Sequence, residues 1–188
     1  TIPPLSTKLE GMTHKQYEFR GDWSGQVVAT AIHAGNRVRP ELAERIILPE
    51  DVRFREEDPF TDRIGERIPA RIVAHTSRFE VDLNRPRAGA VYRSPEEAWG
   101  LDIWADPPLS RDLVERSLRT YDSFYADLAR HFDRLSARGP FVVFDVHSYN
   151  HRREGASEPD SPFEENPEVN VGTGSLDRER FGHVVDTF

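Results

Sequence analysis

Two runs of apolar, largely β-branched residues each end on a histidine: QVVATAIH at positions 26–33 and FVVFDVH at 141–147. Both predict buried strands. Between them lies the clearest helical signal of the chain, over residues 111–137. Val114, Leu118, Tyr121, Tyr125, Leu128, Phe132 and Leu135 recur there at alternating spacings of four and three, and Gly139-Pro140 stops the pattern before the second run. Strand, helix and strand in that order predict an α/β fold with a largely parallel sheet. The carboxyl ends of parallel strands share one edge, where ligands bind. His33 and His147 are therefore expected at a common edge.

The remaining segments predict simpler things. Residues 1–25 read as a lead-in arm or short hairpin, and PELAERII, opened by Pro40, as a short helix. Residues 49–69 are charged and broken by prolines, which predicts a loop that could hold a helical turn. Residues 71–85 begin as a strand and end in a polar cluster, 86–100 and 152–174 read as loops, and FGHVVDTF at the end as a helix. The 188 residues are enough for one domain, and a single catalytic domain over 1–188 is expected, lacking its C-terminal portion. A net charge of −8 argues against nucleic acid as partner, and no apolar run approaches the ~18 residues of a membrane span. A cytoplasmic protein is the expectation.

With no cysteine in the chain, disulfides, thiolate metal sites and cysteine nucleophiles are excluded. Any metal must be held by His, Asp or Glu. Two imidazoles at one sheet edge could hold a zinc ion, with a carboxylate as third ligand and a fourth position left open. Either histidine could equally cap its strand. The acids of EEDPFTD (Glu56, Glu57, Asp58 and Asp62) are the candidate carboxylates, or simply a solvated face. Asp145 shares a strand face with His147 and could orient its ring or cap the strand. In SRFEVDLNR, Arg78, Asn84 and Arg85 could grip a carboxylate, since guanidinium forks match it with two parallel hydrogen bonds. The same arginines could instead pair with Glu80 and Asp82.

Taken together, IHAGNRVRPEL (32–42), EEDPFTDRI (56–64), HTSRFEVDLNR (75–85), FDVHSYN (144–150) and PEVNVGTGSLD (167–177) resemble the N-formylglutamate amidohydrolase family, in the family's order. The SRFEVDLNR string is the most specific of these. The resemblance implies a mixed sheet flanked by helices, as in zinc carboxypeptidases and aspartoacylases. It also implies one zinc ion, held by His33, His147 and Asp58, with Glu57 as rival third ligand. Carboxypeptidases place that carboxylate three residues after the first histidine, where this chain has Asn36. Asn84 and Arg85 would bind the α-carboxylate of the substrate, and Arg78 would act catalytically on the oxyanion. The implied substrate is a small N-acyl acidic amino acid, cleaved in the family reaction to formate and L-glutamate. The family's general-base glutamate is expected beyond residue 188. Two alternatives stand beside this: a zinc peptidase or deacylase with another substrate, and a non-catalytic carboxylate-binding module. Side-chain specificity would need a further cation from Arg87, Arg93, Arg152 or Arg153.

Overall fold

The structure is a computed structural model that describes residues 15–152, 155–174 and 176–187. Its centre is a four-stranded mixed sheet of β1 (Tyr17–Arg20), β2 (Val27–Ala31), β3 (Ala70–Ala74) and β4 (Val142–Asp145). They lie in the order β1-β3-β2-β4. β3 and β4 flank β2 in parallel, with Thr30 opposite both Ile72 and Asp145, while β1 runs antiparallel to β3. The parallel core of β2, β3 and β4 follows the sequence expectation. The lead-in segment departs from it, because β1 forms no hairpin with β2 and joins the far side of β3.

Period-two alternation gives the sheet two different faces. Tyr17, Phe19, Val28 and Ile72 face the long helix α4 (Arg111–Ser136), which closes the main core. This helix matches its predicted span almost to the residue. Ser110 caps it by accepting from the Leu113 backbone N–H, satisfying one of the free donors of the first turn. Its central contact is Phe124, fully buried and edge-on to Tyr17 at 5.2 Å.

On the opposite face the segment predicted as a loop, 49–69, folds instead into two helices, α2 (Glu50–Glu56) and α3 (Thr61–Ile64), preceded by the shorter α1 (Pro40–Ala43). Pro49 before α2, Glu50 and Asp51 in its first turn, and Arg53 and Arg55 in its last are start, stop and dipole signals that outweigh the local polarity. PELAERII is helical only to Ala43, because Ile46 is drawn into a bridge with Trp104. β4 is the other correction. It reads as a buried strand, yet it is the edge of this sheet, and Val142 and Phe144 are exposed.

Two compact units make up the chain, residues 1–148 and 149–188. The first holds the sheet and α4. The second holds irregular chain and a terminal helix, α5 (Arg178–Thr187), where the sequence predicts them. Among the described residues no helix is long and apolar enough to cross a membrane.

Replacing Phe124 with alanine removes the ring on which α4 meets β1 and leaves a cavity at a site with little freedom to collapse. Phe124→Ala should lower the unfolding free energy by about 3–5 kcal/mol in denaturant titration. A loss below about 1 kcal/mol would mean α4 is not anchored there.

Candidate metal centre

β2 ends at Ala31, and a turn carries His33 inward until only 1% of its side chain is exposed. That turn fits because residue 35 is glycine: a Cβ there would stand 2.2 Å from the backbone carbon of His75, behind the end of β3. Arg37 then donates to the His75 carbonyl, extending the β2–β3 contact past both strands.

Asp58 arrives from the segment between α2 and α3. Its backbone N–H donates to the carbonyl of His33 at 3.3 Å, and the Thr61 hydroxyl donates to its own carbonyl at 2.9 Å. The chain reverses there through Phe60, a non-glycine residue with a positive φ of 68°. Strained backbone of this kind persists where the surroundings over-determine it.

The expected convergence of the two histidines is present, with their rings 5.0 Å apart. His147, just past β4, places Nδ1 2.9 Å from Asp58 Oδ2. His33 Nδ1 lies 3.4 Å from the same oxygen, is buried, and has no hydrogen-bond partner. One ligand atom from each of His33, Asp58 and His147 can be chosen so that all lie within 4.8 Å of one another.

Each imidazole is pinned from behind. His33 Nε2–H donates to Asp82 at 2.7 Å, and His147 Nε2–H donates to Asp145 at 3.1 Å. Both rings therefore turn Nδ1 towards Asp58. Two imidazole nitrogens, one carboxylate and a carboxylate behind each ring make a donor set that suits a divalent metal such as zinc. Ligands on a tetrahedral zinc stand roughly 3.4 Å apart, close to the 2.9 and 3.4 Å from Asp58 Oδ2 to the two imidazoles. An unpartnered buried nitrogen is otherwise costly to leave, so the residues fit a metal.

Charge within the centre is strongly redistributed. Burial pushes Asp58 upward, but the bond to His147 and the charge of the neighbouring His33 ring and Arg78 outweigh it and hold the carboxyl well below its usual range. Asp145, and then Asp58, raise His147 to about 9. Glu57, the rival ligand, turns away: it is buried, accepts from the Ser77 hydroxyl, and burial raises it. Asn36 is exposed, and the carboxylate that faces both Nδ1 atoms is Asp58 of the α2–α3 segment.

The DLNR segment lies directly behind this centre. Asp82 is fully buried and also accepts from the Tyr92 hydroxyl, from Arg78 at 3.0 Å and from the Asn84 backbone N–H at 2.8 Å. Sequence reasoning weighed Asp82 only as an ion-pair partner. Its signal was the aspartate at the head of DLNR. Glu80, the other acid weighed with it, pairs with Arg39 at 2.9 Å. Arg78 lies over the Trp99 ring and has its NH1 3.8 Å from Asp58. Arg85 lies over Tyr92 with its Nε 3.9 Å from Asp82. The Asn84 side chain faces solvent. Of the remaining cations, Arg87 is held by Asp122 through two bonds of 2.6 and 2.9 Å. Arg152 bonds Asp160 within the second unit. Arg153 lies outside the described residues.

The fold is a mixed α/β sheet whose parallel strands bring two histidines to their carboxyl ends, where they meet an aspartate in a group that could hold a metal ion. The chain belongs to the N-formylglutamate amidohydrolase family, whose sequence model matches residues 25–187. A crystal structure of N-formylglutamate amidohydrolase from Ralstonia eutropha JMP134 shares the fold, with a TM-score of 0.62 at 16% identity over 78% of this chain. A gene product from Agrobacterium tumefaciens does so with a TM-score of 0.55 at 21% identity over 72% of this chain. The aligned parts make up 62% and 57% of those two chains, so this chain spans well under their full length. No curated protein matches the sequence.

In the metal-free protein the raised His147 has a definite consequence. A group lifted from 6.5 to about 9 contributes stability that is fully present below pH 6.5 and is lost as pH climbs through 9. Denaturant midpoints of the metal-free protein should fall between pH 6.5 and 9, and His147→Gln should flatten that slope. An unchanged slope in the variant would detach it from His147.

Proposed function

We propose that the protein is a zinc-dependent amide hydrolase acting on the formyl, or another acyl, group of an N-acyl acidic amino acid. N-formyl-L-glutamate is the substrate of choice, with formate and L-glutamate as products. The observation that carries this is the buried, unpartnered His33 Nδ1, which faces Asp58 and His147 while a carboxylate fixes the far side of each ring. Membership of the family supports the reaction class.

His33, Asp58 and His147 hold the ion. Zinc supplies two effects when bound: it polarises a carbonyl and brings the pKa of a water to roughly 7. The chain does the rest. Arg85 and the solvent-facing carboxamide of Asn84 grip the α-carboxylate, which fixes the amide relative to the three ligands. Arg78, held in place by Asp82 and the Trp99 ring, keeps a permanent positive charge beside Asp58. It faces the region where the carbonyl oxygen gains charge. One such donor contributes about 3–4 kcal/mol to lowering the barrier. Kinship with zinc carboxypeptidases and aspartoacylases belongs to the same proposal. The two strand-end histidines and the DLNR segment support it, although the third ligand enters from a different segment. A small charged substrate and a chain without cysteine fit a cytoplasmic location.

Zinc-loaded protein should release formate from N-formyl-L-glutamate. His147→Ala should lose bound metal and activity together. Arg85→Ala should keep its metal and raise KM by tenfold or more, as expected on loss of a charged hydrogen bond of roughly 1.5–3 kcal/mol. Absence of formate release from the metal-loaded full-length protein would overturn the proposed reaction, and equal metal loss in both variants would overturn the roles.

A further inference from the structure

Helix α4 reaches the DLNR segment through two tyrosines one turn apart. Tyr121 donates its hydroxyl to the backbone carbonyl of Arg85 at 2.9 Å, and Tyr125 donates to that of Leu83 at 2.6 Å. The two bonds bracket Asn84. From the other side, the Asn84 N–H is held by Asp82 at 2.8 Å. Consecutive backbone groups of the segment are thus fixed in opposite directions, and the Asn84 side chain is left towards solvent.

The donors are themselves fixed. The Tyr121 and Tyr125 rings lie 4.5 Å apart, and Tyr125 meets the buried Phe124 edge-on at 5.3 Å. Burial, followed by the neighbouring Tyr121, pushes the Tyr125 phenol up to about 12, so it remains a donor at any working pH. Plain packing would not need this arrangement. Leu83 already anchors the segment by its buried side chain, and nothing about a hydrophobic contact requires two hydroxyls aimed at the carbonyls on either side of one exposed residue.

We propose that Tyr121 and Tyr125 are positioning residues for the substrate carboxylate: they hold the backbone of residues 83–85 so that Asn84 and Arg85 present a preformed anion clamp. The proposal rests on the hydrolase reading for the identity of the ligand. Its physical content is pre-organisation. Without the two hydroxyls the segment samples other conformations, and the cost of ordering it again is charged to binding. Losing one neutral hydrogen bond of this kind corresponds to roughly a fivefold to tenfold change in an equilibrium constant.

The test compares Tyr121→Phe, Tyr125→Phe and the double variant with the parent protein, all loaded with zinc. Phenylalanine keeps the rings and removes only the hydroxyls. Calorimetry with N-formyl-L-glutamate should show about fivefold to tenfold weaker binding for each single variant and a larger loss for the double, with zinc affinity unchanged. N-formyl-L-isoglutamine, in which the α-carboxylate is replaced by an amide, should bind parent and variants alike. As a control, Tyr17→Phe removes a hydroxyl bonded to Asp127 of the same helix, away from the clamp, and should leave both ligands unaffected. Unchanged binding of N-formyl-L-glutamate by the double variant overturns the proposal while leaving the hydrolase reading intact. Equal weakening of both ligands, or a parallel fall in zinc affinity, overturns it by showing a merely structural role. If the parent itself binds neither ligand, the hydrolase reading falls and the clamp with it.

Discussion

Asp82 is the interaction on which the candidate site depends. A carboxylate with no exposed surface is tolerated only where charge and hydrogen bonds replace its water, and this one receives them from four directions. His33 bonds one oxygen from the metal centre, and Arg78 and Tyr92 bond the other. The Asn84 backbone is tied to it from the segment itself. One buried anion therefore sets the ring orientation of a candidate ligand and the path of the proposed clamp's backbone. The two halves of the site cannot shift independently.

The scaffold around that anion is assembled from backbone contacts as much as from side chains. β2 and β3 lie side by side in parallel, so the turns after them leave the same edge, and Gly35 lets those turns touch. Asp58 is then hung on the carbonyl of His33. β4 brings His147 in from the other flank of β2. Parallel pairing thus aligns the strand ends that carry the two histidines, and the third segment is tied to one of them through its backbone.

The same logic explains what could be read beforehand. The parallel core, α4 and the convergence of His33 and His147 were legible because apolar periodicity and strand polarity are local signals with a forced geometric outcome. Helices α2 and α3 were obscured because charge density over 49–69 looks like loop, while their signals are confined to Pro49 and the order of acids and bases within α2. The exposure of β4 was not legible either: an apolar run specifies that a strand is sticky, and its place at a sheet edge follows from topology. Asp82 was hidden by its own company. Among Arg78, Glu80, Asn84 and Arg85 it looked like one charge of a surface set, and only three dimensions separate Glu80, which pairs with Arg39, from Asp82, which faces His33. That Asp58 faces the two imidazoles while Glu57 meets Ser77 likewise depends on the direction of two adjacent side chains.

Electrostatics connects these pieces. Asp58, Asp82 and Asp145 are all within hydrogen-bond range of the two imidazoles or close to it, and Arg78 meets Asp82 at hydrogen-bond distance. Negative charge is therefore in excess when both rings are neutral. The metal-free chain relieves part of that excess by keeping a proton on His147, which is why its pKa is raised. The proton bridges Asp58 and Asp145 but does nothing for the buried nitrogen of His33, which remains without a partner. A divalent cation held by the three side chains would resolve both deficits at once, since it would neutralise more charge than a proton and give His33 Nδ1 a partner. The unsatisfied nitrogen and the raised imidazole are thus two expressions of one shortage of positive charge.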